Sequence, residues 1–172
     1  MEKIIFLKKN KITELGFTLI EIMVVIGIMV VLSVIAYSSF DVSKAQSRDQ
    51  KRISDISVIQ LALEQYFQKY GVYPVSLNSL VPTYIFEISK DPTTKISYSE
   101  NYFPITKTSS SDYCISYQLW TKFERNNVYL DSKKGFNSSA QPLSNSLYEC
   151  GSGHNKINAS DPSNSLIYDV MP

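Results

Sequence analysis

Apolar residues are not spread evenly along this chain. They crowd residues 17–40, where Glu21 is the only charged side chain. As a helix that stretch is roughly 36 Å long at about 1.5 Å per residue, enough to cross a bilayer. Residues 41–52 then turn polar and charged. Apolar residues return at Ile53, Ile56, Ile59, Leu63, Phe67 and Tyr70, at spacings of three and four that mark one stripe of a helix. No proline lies between Phe17 and Tyr73, and Gly27 and Gly71 are the only glycines in that interval. One unbroken helix is therefore predicted up to about Tyr70. Gly71, followed by Pro74, supplies its stop signal.

The period changes beyond that point. Residues 71–95 are punctuated by Pro74, Pro82 and Pro92 and read as a loop. Tyr113, Ile115, Tyr117 and Leu119 alternate with Cys114, Ser116 and Gln118, which predicts a strand. Residues 127–130 are expected to pair with it, and Lys133-Lys134-Gly135 to form the turn that follows. Residues 137–146 are rich in Ser and Asn and read as a loop, and the weak periodicity of 151–172 predicts a surface wrap. The fold class expected is α+β: a long N-terminal helix whose apolar stripe packs on a small antiparallel β-sheet.

Composition narrows the function. The chain has 172 residues, room for one modest domain and an additional helix. Its 17 Lys and Arg nearly balance 16 Asp and Glu, so nothing points to nucleic acid or to an acidic substrate. A single histidine, His154, cannot build a triad with a confident serine, and Asp112, Asp131, Asp161 and Asp169 are scattered. No enzyme activity and no cofactor are expected. Cys114 and Cys150 with one distant histidine are too few ligands for a structural metal. Outside the cytosol these two cysteines are expected to pair, with a stabilisation on the order of 3–4 kcal/mol. Inside it they would be two free thiols.

Residues 1–16 carry Lys3, Lys8, Lys9 and Lys11 against Glu2 and Glu14. Positive charge before an apolar run places the N-terminus in the cytoplasm and the remainder outside. A secretory signal peptide fits poorly, since the run is long for one and Glu21 has no role in it. A plain uncleaved anchor explains the length and leaves Glu21 unexplained. A carboxylate in hydrocarbon is costly and needs a partner.

The string Gly16-Phe17-Thr18-Leu19-Ile20-Glu21 resembles the processing site of type IV prepilins and of the pseudopilins of type II secretion systems, matching that motif at every position. The resemblance implies that a prepilin peptidase cuts between Gly16 and Phe17 and methylates the new amine of Phe17. It implies Glu21 as the assembly contact, meeting the amine of Phe17 within one helix or across to a neighbour. Its remaining partners would be other pilin or pseudopilin subunits, an inner-membrane assembly platform, and membrane lipid before assembly. Cleavage would remove four Lys and two Glu and move the formal net charge from +1 to −1. Residues 48–56 and 60–66, Tyr73-Pro74 and Asp91-Pro92 are similar to bacterial pilin-like proteins of the pseudopilin type.

The organisation expected is a leader at 1–16, a membrane-spanning and filament-core helix at 17–40, its amphipathic continuation at 41–70, and a periplasmic or extracellular domain at 71–172. A minor tip subunit with a binding role is the alternative to a structural one. The charged patch Arg48, Asp49, Lys51, Arg52 and Asp55 is expected to be solvent-exposed and laced with local pairs such as Arg52 with Asp55.

Overall fold

A computed structural model describes residues 16–108, 113–139 and 147–172, apart from the side chains of Ile35, Ser38 and Ser39. The basic leader, Asp112 and most of the Ser/Asn-rich loop lie outside the described residues. Contacts divide the chain into two compact units, Met1–Asp41 and Val42–Pro172. The division falls inside a helix, α1, that spans Leu19–Tyr70.

The C-terminal end of α1 is set as its sequence predicts. Gly71 adopts a φ of +70, and its N–H donates to the Phe67 carbonyl at 2.8 Å. A left-handed residue there closes the last turn, and glycine takes it without a Cβ penalty.

Four strands follow: β1 (Tyr102–Thr106), β2 (Ser116–Lys122), β3 (Tyr148–Glu149) and β4 (Ile167–Val170). They form one antiparallel sheet in the order β3-β1-β2-β4, with Tyr102 opposite Leu119 and Leu119 opposite Val170. The α+β class is thus as expected, and two details differ. Residues 127–130 do not pair with β2. Val128–Ser132 is a 3-10 helix, and the Asn127 side chain accepts from the Tyr129 N–H at its start. Asparagine favours this capping bond over a ladder position. The partners of β2 are instead β1, which precedes it in the chain, and β4, from the C-terminal stretch predicted to wrap the surface. Ile167–Val170 is the strand in that stretch, too short for its period to stand out.

The sheet is buried on both faces. On one, Tyr102, Tyr117 and Leu119 pack with Ile56, Ile59, Ala62 and Leu63 of α1 and with Leu77 and Leu80. On the other, Phe103 and Ile105 lie under Phe136, Leu147 and Met171. Burial on both sides explains why all five residues of β1 are buried and why its sequence does not alternate. Two buried hydroxyls are satisfied: Tyr102 donates to the Pro74 carbonyl at 2.7 Å, and Tyr73 to Glu64 at 3.0 Å.

The buried face of α1 departs from the expected stripe. Phe67 and Tyr70 are exposed, while Asp49, Arg52 and Asp55 are buried. The charged patch is therefore not a solvated face. Arg52, 2 % exposed, binds Asp91 through two bonds of 2.6 and 3.2 Å, Asp49 at 2.7 Å, Glu124 at 2.9 Å and Thr93 at 2.8 Å. Arg48 adds a two-bond contact to Glu124. Asp49 also accepts from the backbone N–H groups of Glu124 and Arg125, and Asp91 from those of Thr93 and Thr94. A guanidinium can be buried only when its donors meet acceptors, and here three carboxylates and a hydroxyl surround it. The expected Arg52–Asp55 pair does not form. Arg52 takes Asp49 three residues back, and Asp55 takes Lys51 at 3.1 Å.

This cluster is expected to make the domain acid-sensitive. Hydrogen bonding from Arg48, reinforced by Arg52 and Thr93, holds the Glu124 carboxyl down from its ordinary 4.5 to about 2. Burial alone would raise Asp91, but Arg52 and the backbone N–H groups of Thr94 and Thr93 outweigh it and lower its pKa. A depressed folded-state pKa gives stability that is fully present above the unfolded value and lost as pH falls through the folded one. The urea midpoint is expected to hold steady at pH 6–7 and to fall between about pH 4.5 and about pH 2. In Glu124→Gln that fall should shrink. An equal fall in wild type and variant would show that Glu124 is not its source.

Candidate functional site: the start of the long helix

Residues 16–18 are non-helical, and α1 begins at Leu19. Thr18 is the residue before the first helical position, and its carbonyl accepts the first helical bond, from the Ile22 N–H at 3.3 Å. Its hydroxyl accepts from the Glu21 N–H at 3.3 Å, and Glu21 Oε2 in return accepts from the Thr18 N–H at 3.5 Å. This reciprocal pair is a capping box, in which two orphan N–H groups of a helix start are satisfied by side chains. The sequence carries the signal for this cap, a Thr followed three residues later by Glu ahead of an apolar run.

Gly16 and Phe17 lie just before this box. Phe17 is 80 % exposed. A Cβ built on Gly16 meets nothing within 4 Å among the described residues.

The helix beyond Glu21 is apolar on every side. Leu19, Ile20, Met23, Val24, Ile26, Met29, Val30 and Val34 are all exposed. Ser33, polar within this run, turns its hydroxyl back to the Met29 carbonyl at 2.7 Å. Such a helix calls for an apolar surrounding. Among the described residues no helix is long and apolar enough to cross a membrane.

Cys114 and Cys150 are joined by a disulfide, with their Cα atoms 5.6 Å apart. Both are fully buried. The bond links the chain just before β2 to the residue after β3. Among the described residues, no group of His, Cys, Asp and Glu is placed to hold a metal ion.

Residues 13–37 match the family model of the prokaryotic N-terminal methylation motif. This is the prepilin-type motif of type IV pilins and pseudopilins, and it supports a pilin-like or pseudopilin-like protein. A motif of this kind implies processing by a prepilin peptidase, a membrane-anchored state, and later assembly with other pilins. No curated protein and no solved structure matches the chain.

Proposed function

We propose that this chain is a structural subunit of a type IV pilus or of a type II secretion pseudopilus. Residues 1–16 are its leader, removed by prepilin peptidase between Gly16 and Phe17, with methylation of the Phe17 amine. Residues 17–40 hold the subunit in the cytoplasmic membrane, N-terminus inwards, and then enter the filament core. Residues 41–70 continue that helix, and 71–172 form the periplasmic or extracellular domain. The observation that carries this reading is the juxtaposition at the start of α1: a processing motif, then at once a helix with apolar residues exposed on all sides and a single carboxylate.

Glu21 is the assembly contact in this reading. Glu21 comes four residues after Phe17, whose amine becomes free on cleavage and carries the opposite charge. A buried carboxylate with that partner is far less costly than one without it.

The test uses the whole chain in cells that carry the assembly machinery. Glu21→Gln is expected to enter the membrane and lose its leader, yet to be absent from sheared filaments. Normal incorporation of that variant would sink the assembly role. Mass spectrometry of the wild-type protein is expected to find N-methylated Phe17 as the first residue, and an intact leader on all of it would overturn the processing role.

A further inference from the structure

The capping box sits one residue beyond the peptide bond that the proposed processing cuts. A helical amide is a poor substrate, because its N–H or C=O is engaged within the helix and neighbouring side chains crowd the backbone. The start of the apolar helix therefore matters to the enzyme. Leu19, Ile20 and the residues after them favour continued helix, and Phe17 carries no feature of its own that stops it. Gly16 disfavours helix, but it lies on the far side of the scissile amide. What fixes the boundary is Thr18. Its hydroxyl holds the Glu21 N–H at 3.3 Å, its own N–H is held by Glu21 Oε2 at 3.5 Å, and residues 16–18 remain non-helical.

We propose that Thr18 is a positioning residue for leader removal: by capping α1 it keeps the Gly16–Phe17 amide outside the helix, in a form that a peptidase can close on. Without the cap the helix winds back through Thr18 and Phe17, and the amide must be unwound before it is cut. The box also gives the Glu21 carboxylate a hydrogen-bond donor before cleavage has made any amine available. This inference rests on the processing reading given above.

The experiment compares single-turnover leader removal from full-length precursors, in membranes containing a prepilin peptidase. Thr18→Val keeps the shape and β-branching and removes the hydroxyl. It is expected to slow cleavage about five-fold, the rate equivalent of the roughly 1 kcal/mol that a lost N-cap costs. Thr18→Ser and Thr18→Asn, both strong caps with different shapes, are expected to restore the rate. Cleavage of Thr18→Val at the wild-type rate would overturn the proposal. So would Thr18→Asn as slow as Thr18→Val, since that would mean the enzyme reads the threonine itself. In micelles, the Phe17 and Thr18 Cα chemical shifts of the Thr18→Val precursor are expected to move towards helical values, and unchanged shifts would equally overturn the capping role. Gly16→Val in the same assay separates this inference from the reading beneath it. If Gly16→Val keeps its leader while Thr18→Val behaves as wild type, only the inference fails. If Gly16→Val is cut before Phe17 as wild type is, the assigned processing site itself fails.

Discussion

Replacing Arg52 with alanine is expected to destabilise the C-terminal unit by about 3–5 kcal/mol, the usual cost of stranding a buried charge. The residue is almost wholly buried, and three carboxylates depend on it. Asp49, itself 1 % exposed, would keep only its two backbone donors, and Asp91 only those of Thr93 and Thr94. The Asp49 carboxylate cannot reach bulk water without moving the elements that bury it, whereas the Asp91 side chain is already partly exposed. Arg52→Lys should recover only part of the loss, because an ammonium cannot make the two-bond contact to Asp91 while also reaching Asp49, Glu124 and Thr93. Thermal unfolding of the full chain in detergent, followed by the near-ultraviolet signal of the buried tyrosines, would show a midpoint lower by about 10 °C or more. A triple variant, Arg52→Met with Asp49→Asn and Asp91→Asn, is the sharper comparison. If it regains much of the midpoint, uncompensated charge causes the loss. If it unfolds like Arg52→Ala, the missing hydrogen bonds cause it.

The second large effect is expected from Cys114→Ser with Cys150→Ser. The bridge closes a loop whose ends lie 36 residues apart in sequence, and both sulfurs sit in the main core with Tyr73, Tyr102 and Tyr117. Cutting it frees the denatured chain and puts two hydroxyls among apolar side chains. The expected loss is about 2–5 kcal/mol, read as a lower urea midpoint. The same fall should follow when the wild-type protein is reduced, whereas the double variant should not respond to reductant. A wild-type midpoint that ignores reductant would mean that the bond adds little beyond local packing. The partners that remain bound nearby set the lower end of the range. The Tyr73 N–H donates to the Cys114 carbonyl at 2.9 Å, and the Cys150 N–H to that of Pro104 at 2.9 Å.

How far each feature could be read in the sequence follows from how local its cause is. The helix stop at Gly71, the strand through Tyr117 and Leu119, and the prepilin-type motif each rest on a few neighbouring residues, and all three could be read directly. The pairing of Cys114 with Cys150 could be read because only two cysteines exist. The fate of the charged patch could not. Whether Arg52 faces solvent or core depends on Asp91 and Glu124, 39 and 72 residues away, whose acceptors the helix itself does not reveal. Strand β4 was hidden for a similar reason, since four residues become a strand only because β2 offers them an edge. Thr18 is the opposite case. Its capping pattern is entirely local, carried by Thr18 and Glu21 alone.

The cluster around Arg52 also bears on mechanical load. Apolar packing is non-directional, so a helix seated only on Ile56, Ile59 and Leu63 could slip along its axis at little cost. Slipping by one turn, about 5.4 Å, would carry Arg52 away from Asp91, Thr93 and Glu124 together. It would also pull Asp49 off the backbone of Glu124 and Arg125. A tug along the 42–70 part of α1 therefore meets several short polar contacts in shear, all of which must part at once. The charged side chains act as a ratchet tooth between the helix and the loops around it, and the apolar residues act as its bearing.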